Sequence, residues 1–238
     1  MFVVSVSVGG WSGSAINQLI STDDGRSWSV PRRLILSPLL NFSSLVRAPA
    51  VTLSDGGLGL PAYHECVTKW PIWARLDAQG GIVSAHRMPQ PAPALQPAVA
   101  ALSSESAVAV LRRGRGSPPQ VLSNRTDDAG AAWVMAPGTG VPNPDSGVAL
   151  LRLTDGTLLM ACNPLESGRH ILQLFHSRDG GTSWAPGAVI ERGDGGDEFS
   201  YPSLLQDATG MVHLSYTRNR SAIVVLSVAA SRAVEAPQ

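Results

Sequence analysis

Three copies of one short pattern constrain this chain more than anything else in it. Ser21, Asp23, Gly25 and Trp28 stand at the first, third, fifth and eighth places of an eight-residue stretch. Thr126, Asp128, Gly130 and Trp133 repeat the arrangement with Thr for Ser, and Ser177, Asp179, Gly181 and Trp184 repeat it again. Each position has a physical task. The aspartate accepts backbone N–H groups across a tight turn, and the glycine takes the positive φ such a turn needs. The tryptophan returns to the sheet and covers apolar surface beside it. The pattern predicts a clasp on a β-hairpin.

The spacing of the clasps predicts the architecture. Asp128 and Asp179 are 51 residues apart, and Asp23 and Asp128 are 105 apart, about two such steps. A further clasp is expected near residue 76, where Asp77, Gly80 and Gly81 stand without a tryptophan. A period of this length suits four short strands and their turns, the unit of a β-propeller blade. Hairpins fit the frame: Ala48–Leu53 with Leu58–Tyr63, Val148–Leu153 with Thr157–Cys162, and Ser203–Leu205 with Met211–Tyr216. No stretch sustains a helical period. The expected fold is all-β, one propeller domain over residues 1–238 with about five blades visible. Its first blade begins at a second strand (Phe2–Val8) and its last ends after a third (Ala222–Val228). Either the N-terminal strand completes the last blade and closes a ring of five, or the ring is a six-bladed one truncated at its N-terminus.

Composition removes several function classes. The 18 basic and 18 acidic side chains cancel, which argues against a nucleic-acid partner. No apolar run approaches the roughly 20 residues that span a bilayer, so no membrane partner is expected. Met1–Gly10 lacks a basic flank and a cleavage site and reads as a strand rather than a signal peptide, which makes the cytoplasm the expected location. Cys66 and Cys162 form neither a disulfide framework nor a metal-site spacing. Neither a metal nor an organic cofactor is expected.

The three clasps resemble the Asp boxes of the sialidase (neuraminidase) superfamily. Longer stretches resemble bacterial predicted neuraminidases with such repeats: residues 47–50 (RAPA), 60–65 (LPAYHE), 141–147 (VPNPDSG) and 198–203 (EFSYPS). The resemblance implies a six-bladed propeller and exo-hydrolysis of a terminal sialic acid. Members of that family are typically longer at the N-terminus, which favours the truncated ring. Asp boxes mark the fold and lie away from the central pocket, so chemistry has to be argued from other residues.

In a propeller the innermost strands line the central channel. The polar residues at their starts are Arg47, Gln96, Asn143, Asp145, Glu198 and Tyr201; those at the ends of second strands are Tyr63, His64, Glu65, Arg112, Arg113, Asn163 and Arg218. Arg47 resembles the first arginine of the sialidase triad, whose guanidinium grips a carboxylate with two parallel hydrogen bonds. Arg112 or Arg113, and Arg218, are candidates to complete the triad, while Asn163 stands where sialidases often place an arginine. Gln96, Asn143, Asn163 and Tyr63 would line the sugar site. Tyr201 is similar to the sialidase catalytic tyrosine, a nucleophile only if a carboxylate takes its proton, with Asp145 or Glu198 as that base. Glu65 or His64 would be the acid. Two other readings stand beside this hydrolase: a propeller lyase on uronate glycans, with His64 and Tyr201 moving the proton, and a non-catalytic binder of acidic glycans.

Overall fold

The computed structural model describes residues 1–7, 9–37, 41–114 and 116–236. Nineteen strands form five antiparallel sheets, which follow one another along the chain. The first holds β1 (Phe2–Ser7), β2 (Gly10–Gln18) and β3 (Arg32–Arg33). The second holds β4 (Ser44–Val46), β5 (Val51–Thr52), β6 (Leu58–Glu65), β7 (Lys69–Leu76) and β8 (Ile82–Arg87), with β4 and β5 both pairing β6 as two parts of one inner strand. The third runs through β9 (Ala94–Ala101), β10 (Ala107–Arg113), β11 (Leu122–Thr126) and β12 (Val134–Met135). The fourth is β13 (Ala149–Arg152), β14 (Leu158–Cys162), β15 (Ile171–Ser177) and β16 (Ala185–Arg192). The fifth is β17 (Phe199–Gln206), β18 (Met211–Arg218) and β19 (Ala222–Ala229), followed by the single turn of α1 (Ala230–Ala233). This is a five-bladed propeller arrangement, one blade fewer than the resemblance implied.

The expected first strand is present as β1, with Val8 lying outside the described residues. It pairs with β2 in its own sheet, and the fifth sheet is ordered β17-β18-β19. The N-terminal strand therefore does not complete the last blade.

Apolar alternation explains why the sheets stack face to face. On β14, Leu158, Met160 and Cys162 pack toward the third blade with Val108 and Val110, while Leu159 and Ala161 pack toward the fifth with Leu204 and Leu214. A strand buried on both faces is continuously apolar, and β14 is. Trp73, Ala109 and Leu111 join blades two and three, and Ile16, Leu34, Leu60 and Leu76 join one and two. The fifth blade differs. Leu204 is buried, but Leu205, Ile223 and Val225 on the opposite face are 63, 78 and 68% exposed.

The clasps form as their residues predict. The first joins β2 and β3, and the other two join the third and fourth strands of their blades. In the last, the Asp179 carboxylate accepts the Ser177 hydroxyl at 2.7 Å and the Ser183 N–H at 2.9 Å, while Gly181 N–H donates to Ser177 Oγ at 2.9 Å. Asp23 makes the equivalent bonds to Ser21 and Ser27, and Asp128 to Thr126 and Ala132. Asp77 accepts the Gly81 N–H at 2.7 Å in the turn between β7 and β8, so the clasp without tryptophan keeps its hydrogen-bonded core. The tryptophans diverge. Trp133 is buried edge-on against Trp73, Trp184 packs against the apolar core between blades three and four, and Trp28 is 43% exposed.

Two predictions follow from this packing. A Cβ on Gly59 would lie 2.1 Å from the buried Trp73 indole. Gly59→Ala should therefore cost about 2 kcal/mol in urea unfolding, the scale of an overpacked core. The serine hydroxyls and N–H groups hold the Asp23 carboxyl down at about 2 and that of Asp179 lower still. Stabilisation from a depressed carboxyl is complete above the ordinary aspartate range and is lost as pH falls through the folded value. Asp179→Ala should lower Tm near neutral pH, and the gap to the parent should close in strong acid.

Candidate active site

The site is built where inner strands begin. Four non-glycine residues there have left-handed backbone, one in each of the second to fifth blades: Ser43 (φ 53°), Gln96 (φ 51°), Asp145 (φ 56°) and Tyr201 (φ 57°). Such angles are disfavoured for residues with a Cβ, and a tyrosine there is a marked outlier. At Gln96 and Tyr201 the pairing also slips, between Val110 and Arg112 in the third blade and between Ser200 and Ser203 in the fifth. Bulges of this kind re-aim a side chain out of the ladder. Tyr201 is left 43% exposed.

Guanidinium groups surround Tyr201. Arg47 and Arg169 place Cζ 5.8 and 5.6 Å from the centroid of its ring. Arg112 lies within electrostatic range of the same phenol. Arg47 spans the channel floor, donating Nη1 to the Val148 carbonyl at 2.7 Å and Nη2 to that of Pro202. Glycine at 147 eases the crossing, since a Cβ there would stand 3.1 Å from the guanidinium. Burial lowers the Arg47 pKa to about 10, so the group stays cationic at neutral pH. Below it the channel widens into a cavity of about 280 Å³ lined by Pro49, Ala98, Leu150 and Leu204.

Arg112 donates Nε to Asp145 Oδ1 at 2.5 Å and Nη1 to Gln96 Oε1 at 3.4 Å. Burial opposes its charge, but the Asp145 carboxylate outweighs burial and raises its pKa above the ordinary arginine value. Gln96 in turn donates to the Tyr63 hydroxyl at 3.5 Å. Tyr63 is raised by burial. Glu65, two residues on along β6 and so on the same face, is paired with Lys69 at 2.9 Å, and its charge is felt by Tyr63 and Arg112.

Arg169 was not foreseen. The sequence reading looked for an arginine at the strand end, position 163, whereas this one stands six residues later in the loop before β15. Its Nη1 donates to Glu198 at 3.1 Å and its Nη2 to the Asp145 carbonyl at 3.1 Å. The available signal was Gly168, whose φ of 75° turns the loop inward just before the arginine. Glu198 also accepts Ser200 Oγ and Arg220, both at 2.8 Å; burial works against its charge, but these donors hold its pKa below the usual glutamate value.

Five expected residues stand elsewhere. His64 lies on the other face of β6 from Tyr63, stacked on Trp70 at 3.9 Å with its pKa lowered by burial, so it does not meet Tyr201. Arg218 pairs with Glu191 over the Phe199 ring. Arg113 donates to the Ser117 carbonyl. Asn163 is fully buried and donates to the Ile171 and Phe199 carbonyls at 2.7 and 2.8 Å, tying the Arg169 loop to the fifth blade. Asn143, 1% exposed, closes on Ser146 and shapes the turn that presents Asp145. Both are buried and lend their amides to the scaffold of the site.

Propeller blades clasped by Asp boxes, with arginines gathered around a tyrosine at the channel mouth, define a sialidase-type fold. The BNR repeat-like domain family matches residues 1–214, and the chain belongs to that family. Among solved structures it is similar to the Hadza microbial sialidase Hz136, with 20% identity, a TM-score of 0.75, and coverage of 97% of this chain and 49% of that one. NanB sialidase from Streptococcus pneumoniae matches at 14% identity and TM-score 0.73, over 92% of this chain and 36% of that one. The intramolecular trans-sialidase from Ruminococcus gnavus matches at 16% identity and TM-score 0.69, over 94% and 52%. The chain thus spans about half the length, or less, of these proteins. At such identities the likeness establishes the fold. No curated protein matches the sequence.

Removing Arg169 leaves Glu198 its bonds to Ser200 and Arg220, so the fold should survive. Arg169→Ala should leave the circular dichroism spectrum and the urea midpoint unchanged.

Proposed function

We propose that this propeller is an exo-acting glycoside hydrolase of sialidase type, acting on a terminal acidic sugar. The observation that carries the reading is the gathering of Arg47, Arg112 and Arg169 around an exposed, left-handed Tyr201. Arg112 and Arg169, backed by the Arg47 cation, suit a sugar carboxylate lying across their remaining N–H groups.

With the carboxylate held there, Tyr201 Oη attacks the anomeric carbon as its proton passes to a carboxylate. The leaving oxygen takes a proton from an acid, and water later releases the sugar from the tyrosyl adduct. Asp145 suits the base better than Glu198. Its Oδ1 is engaged by Arg112, whereas Glu198 accepts from Arg169, Ser200 and Arg220 together. Glu65 suits the acid, since it shares the Tyr63 face of β6. The lyase reading loses its support with His64 stacked on the opposite face.

One observation favours the binding-only reading: Asp145 and Glu198 are both already paired with arginine. Mass spectrometry of products decides between them. Incubation with sialyllactose should release free sialic acid with uptake of one oxygen from labelled water. Tyr201→Phe should lower kcat by about a hundredfold or more while binding of the sugar persists. Binding without turnover in the parent protein would leave a lectin-like role.

A further inference from the structure

Outside the arginine cluster, a groove on the rim of the second blade is unexplained. A cavity of about 530 Å³, lined by Phe42, His64, Cys66, Trp70, Ile72 and Arg87, opens into one of about 830 Å³ walled by Lys69, Pro89, Pro93 and Gly114. Trp70 and Arg87 belong to both. Three planar groups form a column along it. The His64 ring stacks on the Trp70 indole at 3.9 Å and 11°, and Arg87 sets its guanidinium carbon 3.7 Å from the indole centroid. Phe42 closes the far side edge-on to His64 at 5.6 Å.

Two things separate this column from ordinary packing. Arg87 is exposed, and among the described residues no carboxylate pairs with it, so its forked donors are held in place by the indole and remain unspent. The groove also lies beside the arginine site. β6 ends and β7 begins at the same mouth, where Glu65 pairs with Lys69. Gly114, on the groove wall, lies two residues beyond Arg112 and bonds the Pro93 carbonyl at 2.8 Å. Arg87 stands two strands out from β6, roughly 10 Å at the usual strand spacing.

We infer that this groove binds the second acidic sugar of an extended glycan, its carboxylate on Arg87 and its ring against the apolar wall, while the terminal acidic sugar occupies the Arg112–Arg169 site. This rests on the sialidase-type reading and narrows its substrate to chains with consecutive carboxylated sugars. Such a ligand matches the groove in charge, and its two sugars suit two neighbouring cationic sites.

The groove carries its own probe. Cys66 lines it and is partly exposed, whereas Cys162 is buried. Disialyllactose and sialyllactose are titrated against the full chain, with Cys66 alkylation by iodoacetamide followed in parallel. Disialyllactose should bind about tenfold tighter than sialyllactose and slow alkylation of Cys66. Both effects should vanish in Arg87→Ala, with sialyllactose affinity unchanged. Equal affinities with Cys66 unprotected, or protection that survives Arg87→Ala, would overturn the inference and leave the sialidase-type reading intact. Failure of the folded chain to bind either sugar would overturn both.

Discussion

One buried cation ties the inner end of the propeller together. Arg47 leaves the second blade, crosses the channel, and donates to backbone carbonyls of the fourth and fifth. Burying a guanidinium is costly, as its lowered pKa records: the folded protein favours the charged form less than water does at every pH below about 10. The cost is offset by two carbonyl bonds and by the space at Gly147. In return the inner strands of three blades share one fixed point, and a positive floor lies beneath Tyr201. Arg112, Asp145 and Arg169 are arranged above that floor.

The blades themselves are held by a different force. The strands of the middle blades are apolar on both faces because their sheets are covered on both sides, the end blades are covered on one, and the four inter-blade cores supply the non-directional part of the stability. The clasps then set where each outer hairpin turns. The polar residues of the mouth are thereby free of structural duty on one side, and the strained angles at Gln96, Asp145 and Tyr201 can persist because the surrounding sheets over-determine them. Backbone strain, bulges and paired arginines coincide at one end of the channel, which is where a site for chemistry is expected in this architecture.

The candidate site is legible only in part from residue types. Tyr201, Arg112 and Asp145 share the channel mouth because strand ends in a propeller converge. Arg169 escaped because the loop between β14 and β15 returns it to the mouth, with Gly168 the one local mark that sets it apart from a surface arginine. His64 and Arg218 were drawn in because a strand end looks the same on either face. Side chains on a strand alternate, so a one-residue difference between Tyr63 and His64 separates the arginine site from the rim groove. Asn163 and Asn143 illustrate the converse: polar residues near a site that are spent on its scaffolding.

The sequence by itself determined the blade repeat, the clasps and the all-β class. These rest on local chemistry: an aspartate accepting nearby N–H groups, a glycine at positive φ, and apolar alternation at a period of two. Only the tertiary structure decided which arginines meet Tyr201, which carboxylates remain open, and that the N-terminal strand stays in its own sheet. The arginine arrangement depends on contacts between residues 24 to 155 positions apart, from Arg169 with Asp145 to Arg47 with Pro202. No local pattern encodes such contacts, because each is fixed by the packing of whole blades rather than by the residues that make it.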